Sequence, residues 1–179
     1  MELLYKDRPK VETDFIEEVC SYILSEPFLE KPESNDFAAI FVEGRNRTLD
    51  TVEDFTSLYS FNVFSQKKYP IFCFINNDYN FLNREISWHM FQKYFSNVQI
   101  IKIPKINSLE EYTEFCIKNL YYVLPNYVEN ILTLQPDGML LKSGWEDYIK
   151  SCNVDWLSSH WRHYAGIEYF HEFHKAWYH

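Results

Sequence analysis

Two short stretches of the chain carry residue types that could do chemistry. The first is Gln135-Pro136-Asp137-Gly138, which follows the apolar run Ile131, Leu132 and Leu134. The run reads as a buried central strand covered on both faces. Pro136 cannot donate to a β-ladder, and Gly138 tolerates turns that other residues resist. Asp137 is then expected where that strand ends, which is where open α/β sheets bind ligands. A carboxylate there can hold a divalent cation, or a sugar or ribose hydroxyl. The same four residues also make plain turns anywhere. The second stretch is Glu43-Gly44-Arg45, after the strand-like Phe37 to Val42. Arg45 could stack on a base or fork a phosphate, and Gly44 would let backbone approach the ligand. The competing reading is a corner ion pair of Glu43 with Arg45 or Arg47.

The elements that must position these residues alternate. Helical spacing covers Glu12 to Leu24, with Thr13 or Asp14 as its cap, and a loop runs from Ser25 to Asp36. Strand Phe37 to Val42 precedes a helix from Thr48 to Ser65. Strand Tyr69 to Ile75 ends in Asn76-Asn77-Asp78 and precedes a helix from Asn83 to Tyr94. Strand Val98 to Ile103 precedes a helix from Leu109 to Tyr122, with Ser108 and Glu111 in a capping-box pattern. After the Ile131–Leu134 strand come a helix from Trp145 to Cys152, a short strand from Val154 to Trp156 and a helix from Ile167 to Trp177. This order predicts an α/β fold: a three-layer, mostly parallel sheet with helices on both faces. Right-handed crossovers then bring the corners after Val42, Ile75, Ile103 and Leu134 to one edge. The 179 residues read as a single domain, with an N-terminal helix and loop over 1–36, a core over 37–161 and a C-terminal helix over 162–179.

Composition narrows the function. Aromatic residues make up 19% of the chain, more than a minimal core needs, so some rings should line a groove or an interface. A net charge of −9 argues against a broad nucleic-acid surface, although a bound metal could still bring a nucleotide in. Cys20, Cys73, Cys116 and Cys152 lie far apart with no C-x-x-C, and Met1 to Val19 is charged throughout, so a reducing cytoplasm is expected. No apolar run approaches a membrane span. Few Gly and Ala beside abundant Asn, Lys, Ile, Phe and Tyr suit an AT-rich genome, bacterial or viral. G-x-G-x-x-G, the phosphate-loop signature and the Gly-x-Ser-x-Gly elbow are all absent. His160, His163, His171, His174 and His179 crowd the end of the chain. His171 and His174 are one helical turn apart, but aromatic packing is the preferred reading, with one of them able to complete a metal site begun by Asp137.

Taken together, these motifs resemble a glycosyltransferase-like family whose first strand ends in an acidic residue, a spacer and Arg. In that family a later strand ends Gln-x-Asp-Gly, and Asp-Tyr-Ile-Gly-Ala-Pro-Trp follows. Glu43-Gly44-Arg45 fits the first element, Asn76 or Asn77 the Asn after the second strand, and Gln135-Pro136-Asp137-Gly138 the third. Trp145 fits the aromatic residue after it. Asp155 to Trp161 fits the last in outline only: Asp155, an aromatic and Trp161 agree, while Gly, Ala and Pro are replaced. The resemblance spans about Phe37 to Trp161. The family's following Asn-Gly-Gly-Phe-Ser-Leu-Arg segment, on the acceptor side, has no counterpart here.

The resemblance implies the GT-A fold and a nucleotide sugar, UDP- or GDP-linked, transferred to an unspecified acceptor. It implies Glu43, Arg45, Asn77, Gln135 and Asp137 as nucleotide- and sugar-binding residues, and Asp137 as the ligand of Mg²⁺ or Mn²⁺. It names no catalytic base. The alternative is a non-catalytic nucleotide-, sugar- or protein-binding module, and a homodimer is compatible with either.

Overall fold

The structure, a computed structural model, describes residues 10–44, 52–77, 94–135 and 138–152. The chain falls into two compact units, Met1–Glu146 and Asp147–His179. The expected helix from Asn83 to Tyr94, the strand from Val154, the closing helix and the histidine cluster lie outside the described residues, apart from Tyr94.

The first unit is built on four parallel strands: β1 (Phe37–Glu43), β2 (Ile71–Asn76), β3 (Val98–Ile103) and β4 (Asn130–Leu134). Their spatial order is β3-β2-β1-β4. Five helices are described: α1 (Lys10–Ser25), α2 (Val52–Phe64), α3 (Leu109–Glu114), α4 (Leu120–Val123) and α5 (Trp145–Ser151). A π-helical turn, Phe115–Asn119, joins α3 to α4 into one continuous rod. Helix α5 crosses from the first unit into the second.

The mixed α/β fold with an all-parallel sheet agrees with the alternation in the sequence. One assignment changes. The interior strands are β1 and β2, not β4. Phe37 to Phe41 are at most 2% exposed, and β1 pairs with β2 on one side and β4 on the other. Among the described residues β4 is an outer strand, and its Ile131 is 46% exposed rather than covered. The apolar run Ile131, Leu132 and Leu134 therefore misled: an outer strand can carry apolar residues without burying both faces.

The sheet's two faces have different cores. Ala38, Ile40, Phe72, Phe74 and Ile103 pack with Ile106, Phe115 and Leu124 on the side of the α3–α4 rod. Near the start of β1, Phe37 meets Tyr69 and Trp145 edge-on, and Phe61 of α2 stacks into the same aromatic group.

Helix α2, expected from Thr48 to Ser65, has no one-sided apolar stripe over its last three turns. Every residue from Asp54 to Phe64 is buried. A helix with no solvent face must satisfy its polar side chains internally. Thr56, Ser60 and Ser65 donate to carbonyls within their own helix, and Asn62 exchanges amide hydrogen bonds with Asn97. At its C-terminal end, Lys31 Nζ donates to the Val63 carbonyl (2.7 Å) and to that of Ser65. Burial lowers the Lys31 pKa, and the nearby Glu146 charge opposes that shift.

Two caps show local rules at work. Ser108 accepts from the Glu111 N–H as expected, but Glu111 reaches back to the N–H of Asn107 (2.7 Å) instead of Ser108. Helix α1 starts at Lys10, so Thr13 and Asp14 fall inside it and do not cap it.

Candidate functional site

The strand order identifies the place to look. Crossovers run from β1 towards β2 and β3 on one side and lead to β4 on the other, so the order reverses between β1 and β4. In open α/β sheets, the crevice outside the carboxyl ends of the strands at such a reversal is where ligands bind.

Glu43 is the last residue of β1 and sits opposite Ile75 of β2. The β1–β4 pairing ends at Phe41 opposite Leu134, so Glu43 reaches two residues past it while the other chain continues into Gln135. Asn76 closes β2, and Asn77 follows it, exposed. Neighbouring strands lie about 4.8 Å apart. Glu43, Asn77 and Gln135 therefore share one edge of the sheet, as the sequence led us to expect. Arg45 and Asp137 lie outside the described residues.

Glu43 is only 3% exposed. Tyr112 of α3 lies within electrostatic reach of it. Burial raises the Tyr112 pKa, the Cys116 thiol and the Glu43 charge act in the same direction, and a hydrogen bond with the Gln135 side chain opposes them. Cys116, one turn further along, lies in the π-helical segment, and burial raises its pKa as well. π-turns of this kind are frequent near functional sites. Nothing in the primary order distinguishes Tyr112 from the other tyrosines.

The Gln135 corner is anchored from below. Gln135 and Gly138 form an antiparallel bridge, and the Gly138 N–H donates to the Gln135 carbonyl at 2.8 Å. The buried Ser57 hydroxyl faces both carbonyls, 2.9 Å from that of Gln135 and 2.8 Å from that of Gly138. One hydroxyl has one proton, so the two acceptors share it. Ser60 Oγ accepts from the Leu140 N–H at 3.0 Å and holds the next step of the chain against α2. The signal in the sequence was a pair of serines, i and i+3, inside an apolar helix.

The corner after β1 is closed differently. The space beside Gly44 is not left open for a ligand. A Cβ placed there would lie 2.5 Å from Ile106 Cδ1 and Cγ1 and 2.6 Å from its Cβ. The Ile106 N–H also donates to the Gly44 carbonyl at 2.8 Å. The glycine serves close packing of the β3–α3 loop. Lys102, at the end of β3, places its Nζ 3.4 Å from the Asn76 carbonyl and so adds a cation to the same edge.

Trp145, which the resemblance matches to the aromatic residue after its third motif, packs at the far end of the sheet with Phe37, Phe61 and Tyr69. Trp156 and Trp161 lie outside the described residues. Among the described residues no three His, Cys, Asp or Glu side chains gather as metal ligands, and no helix is long and apolar enough to cross a membrane. All four cysteines are free. No protein-family model, curated protein or solved structure matches this chain.

Proposed function

We propose that the chain is a glycosyltransferase-like protein that binds a nucleotide sugar, UDP- or GDP-linked, at the carboxyl edge of β1 and β4. The observation that carries this reading is the strand order β3-β2-β1-β4, with Glu43 and the Gln135 corner on the two sides of the reversal. The two motifs of the resemblance begin 92 residues apart in sequence, at Glu43 and Gln135, and these two residues fall on adjacent strand ends. A three-layer GT-A arrangement accounts for that order.

In this reading Asp137 holds Mg²⁺ or Mn²⁺, which neutralises the diphosphate leaving group. The turn that Gln135 belongs to is held by Ser57. Glu43 is a buried carboxylate at the same edge and suits a cation or a ribose hydroxyl, whereas a phosphate brought directly against it would be repelled. Arg45 and Asn77 supply the polar contacts to the nucleotide.

A second reading is favoured by Gly44. Because Ile106 fills the space beside it, this corner presents no open backbone to a donor. A non-catalytic nucleotide- or sugar-binding module needs only the edge and no acceptor side.

Isothermal titration with UDP, GDP and their sugars, with and without Mn²⁺, tests the proposal. Heat that depends on Mn²⁺ and is lost in Asp137→Ala, with the melting temperature kept, is the expected result. Absence of heat from every nucleotide removes both readings in their nucleotide form. Sugar transfer to water or to an acceptor by the wild type separates the enzyme from the module.

A further inference from the structure

A second, independent feature lies at the opposite edge of the sheet, where β2 and β3 begin. It is a polar cleft of about 250 Å³. Its frame is fixed by hydrogen bonds. The Ser34 N–H donates to the Lys68 carbonyl and the Lys68 N–H to that of Pro32, strapping the loop before β1 to the start of β2. Asn97 is clamped by its side chain to Asn62 (2.8 Å) and to the Tyr69 carbonyl (2.5 Å), and its own carbonyl accepts from Ile71. Pro70 and Phe72 are the apolar part of its lining, together with Val98. The site is thus held in shape before any ligand arrives.

The rim is different in kind. The side chains of Glu33, Asn35, Gln99 and Tyr127 line the cleft, and none of these side chains hydrogen-bonds to another described residue. Together they offer two amides, a carboxylate and a half-exposed aromatic ring. Lys68, the cation in the lining, is turned to the Ser96 hydroxyl. With that cation engaged, and with Glu33 beside it in a chain of net charge −9, a phosphate or other anion is disfavoured. The lining is too polar for a hydrophobic ligand, and the volume lies below the roughly 300–1,000 Å³ of drug-sized sites. An aromatic face with planar amide and carboxylate groups suits a neutral polyhydroxylated ring, whose C–H face stacks while its hydroxyls donate and accept.

We propose that this cleft binds a single neutral sugar ring, stacked on Tyr127 and hydrogen-bonded by Asn35, Gln99 and Glu33. The proposal does not rest on nucleotide-sugar transfer at the other edge, and the two can fail separately.

The test is an amide-resolved NMR titration of the full chain with glucose, galactose, mannose and N-acetylglucosamine, each to about 100 mM, the range in which weak single-ring binding is read. Saturable shifts at the amides of Ser34, Asn97 and Gln99 are expected for at least one sugar, and unchanged in Asp137→Ala. Tyr127 is 55% exposed, so Tyr127→Ala should fold normally and weaken binding about tenfold or more, while Tyr127→Phe keeps the ring and stays within about threefold of wild type. Absence of saturable shifts, or shifts confined to Glu43 and Gln135, overturns the proposal. So does undiminished binding by Tyr127→Ala.

Discussion

Replacing Gly44 by alanine places a methyl group where Ile106 already is. Carbon atoms in good contact sit about 3.5–4.0 Å apart. The added Cβ would meet three Ile106 carbons at 2.5, 2.5 and 2.6 Å. The overlap is about 1 Å with each, and one of the three is the Ile106 Cβ, which no rotamer change moves. The backbone of residue 44 or 106 must therefore shift, against a 2.8 Å hydrogen bond that ties the two together. Overpacking of this kind costs about 1–3 kcal/mol, and a weakened hydrogen bond adds about 1 kcal/mol, so Gly44→Ala should destabilise by about 2–4 kcal/mol. Gly44 has no left-handed φ, so the whole effect comes from the contact and none from backbone strain. For a chain of this size that is a fall of roughly 5–15 °C in melting temperature. Urea denaturation of Gly44→Ala, Ile106→Ala and the double variant gives the coupling. Ile106→Ala removes Cδ1 and Cγ1 but leaves Cβ, so the double variant should be less destabilised than the sum of the singles by about 1 kcal/mol. A Gly44→Ala protein within about 0.5 kcal/mol of wild type, additive with Ile106→Ala, would show that Ile106 does not fill this space.

Two further outcomes follow from buried polar groups. Ser57→Ala leaves the Gln135 and Gly138 carbonyls without their hydroxyl donor and should cost about 1–3 kcal/mol in thermal or urea unfolding; an unchanged midpoint would show that the corner does not depend on α2. Stability should fall as the pH is raised above about 9. Burial raises the pKa of Cys20, Cys73 and Cys116 above the ordinary 9.0, and that of Tyr59 above 10.0, so the unfolded chain releases these protons first. Stabilisation from groups shifted upward is complete below their unfolded pKa and is lost as pH rises through the folded one. Lys31 acts in the opposite direction, since its pKa is lowered and its contribution improves towards 10.5, but among the described residues it is one group against five, Tyr112 being raised as well. Melting temperatures between pH 7 and 10 measure the balance, and a rise across that range would contradict it.

The alternation of strands and helices was legible because each strand is a short apolar run bounded by polar breakers, with a helix-length segment between successive strands. What sequence could not tell was rank within the sheet. Phe37 to Phe41 and Ile131 to Leu134 look alike as apolar runs, yet the first is paired on both sides and the second on one. Pairing partners are a long-range property that local pattern does not encode. The same holds for Ser57 and Ser60, which read as breaks in a stripe and turn out to fix the Gln135 corner. Gly44 was legible as a close approach, but the approaching group is a side chain sixty-two residues on, and not a ligand. The corners bearing Glu43, Asn77 and Gln135 could be brought together on paper because a parallel sheet leaves no choice: every strand must end at the same edge.

That edge also makes the metal arm of the titration the decisive one. A buried Glu43 beside Tyr112 makes the end of β1 electronegative, and the chain as a whole carries −9. A diphosphate approaching such an edge needs positive charge from somewhere. Lys102 lies on β3, with its Nζ at the Asn76 carbonyl, beyond β2 from the reversal point. Two sources that can be tested are Arg45 and a cation held by Asp137. If UDP or GDP binds equally well with and without Mn²⁺, the charge comes from Arg45: Arg45→Ala should then abolish binding, and Asp137→Ala should spare it. If binding requires the metal, the order reverses, and Arg45→Ala should weaken binding by only the one to two powers of ten that a single charged hydrogen bond supplies.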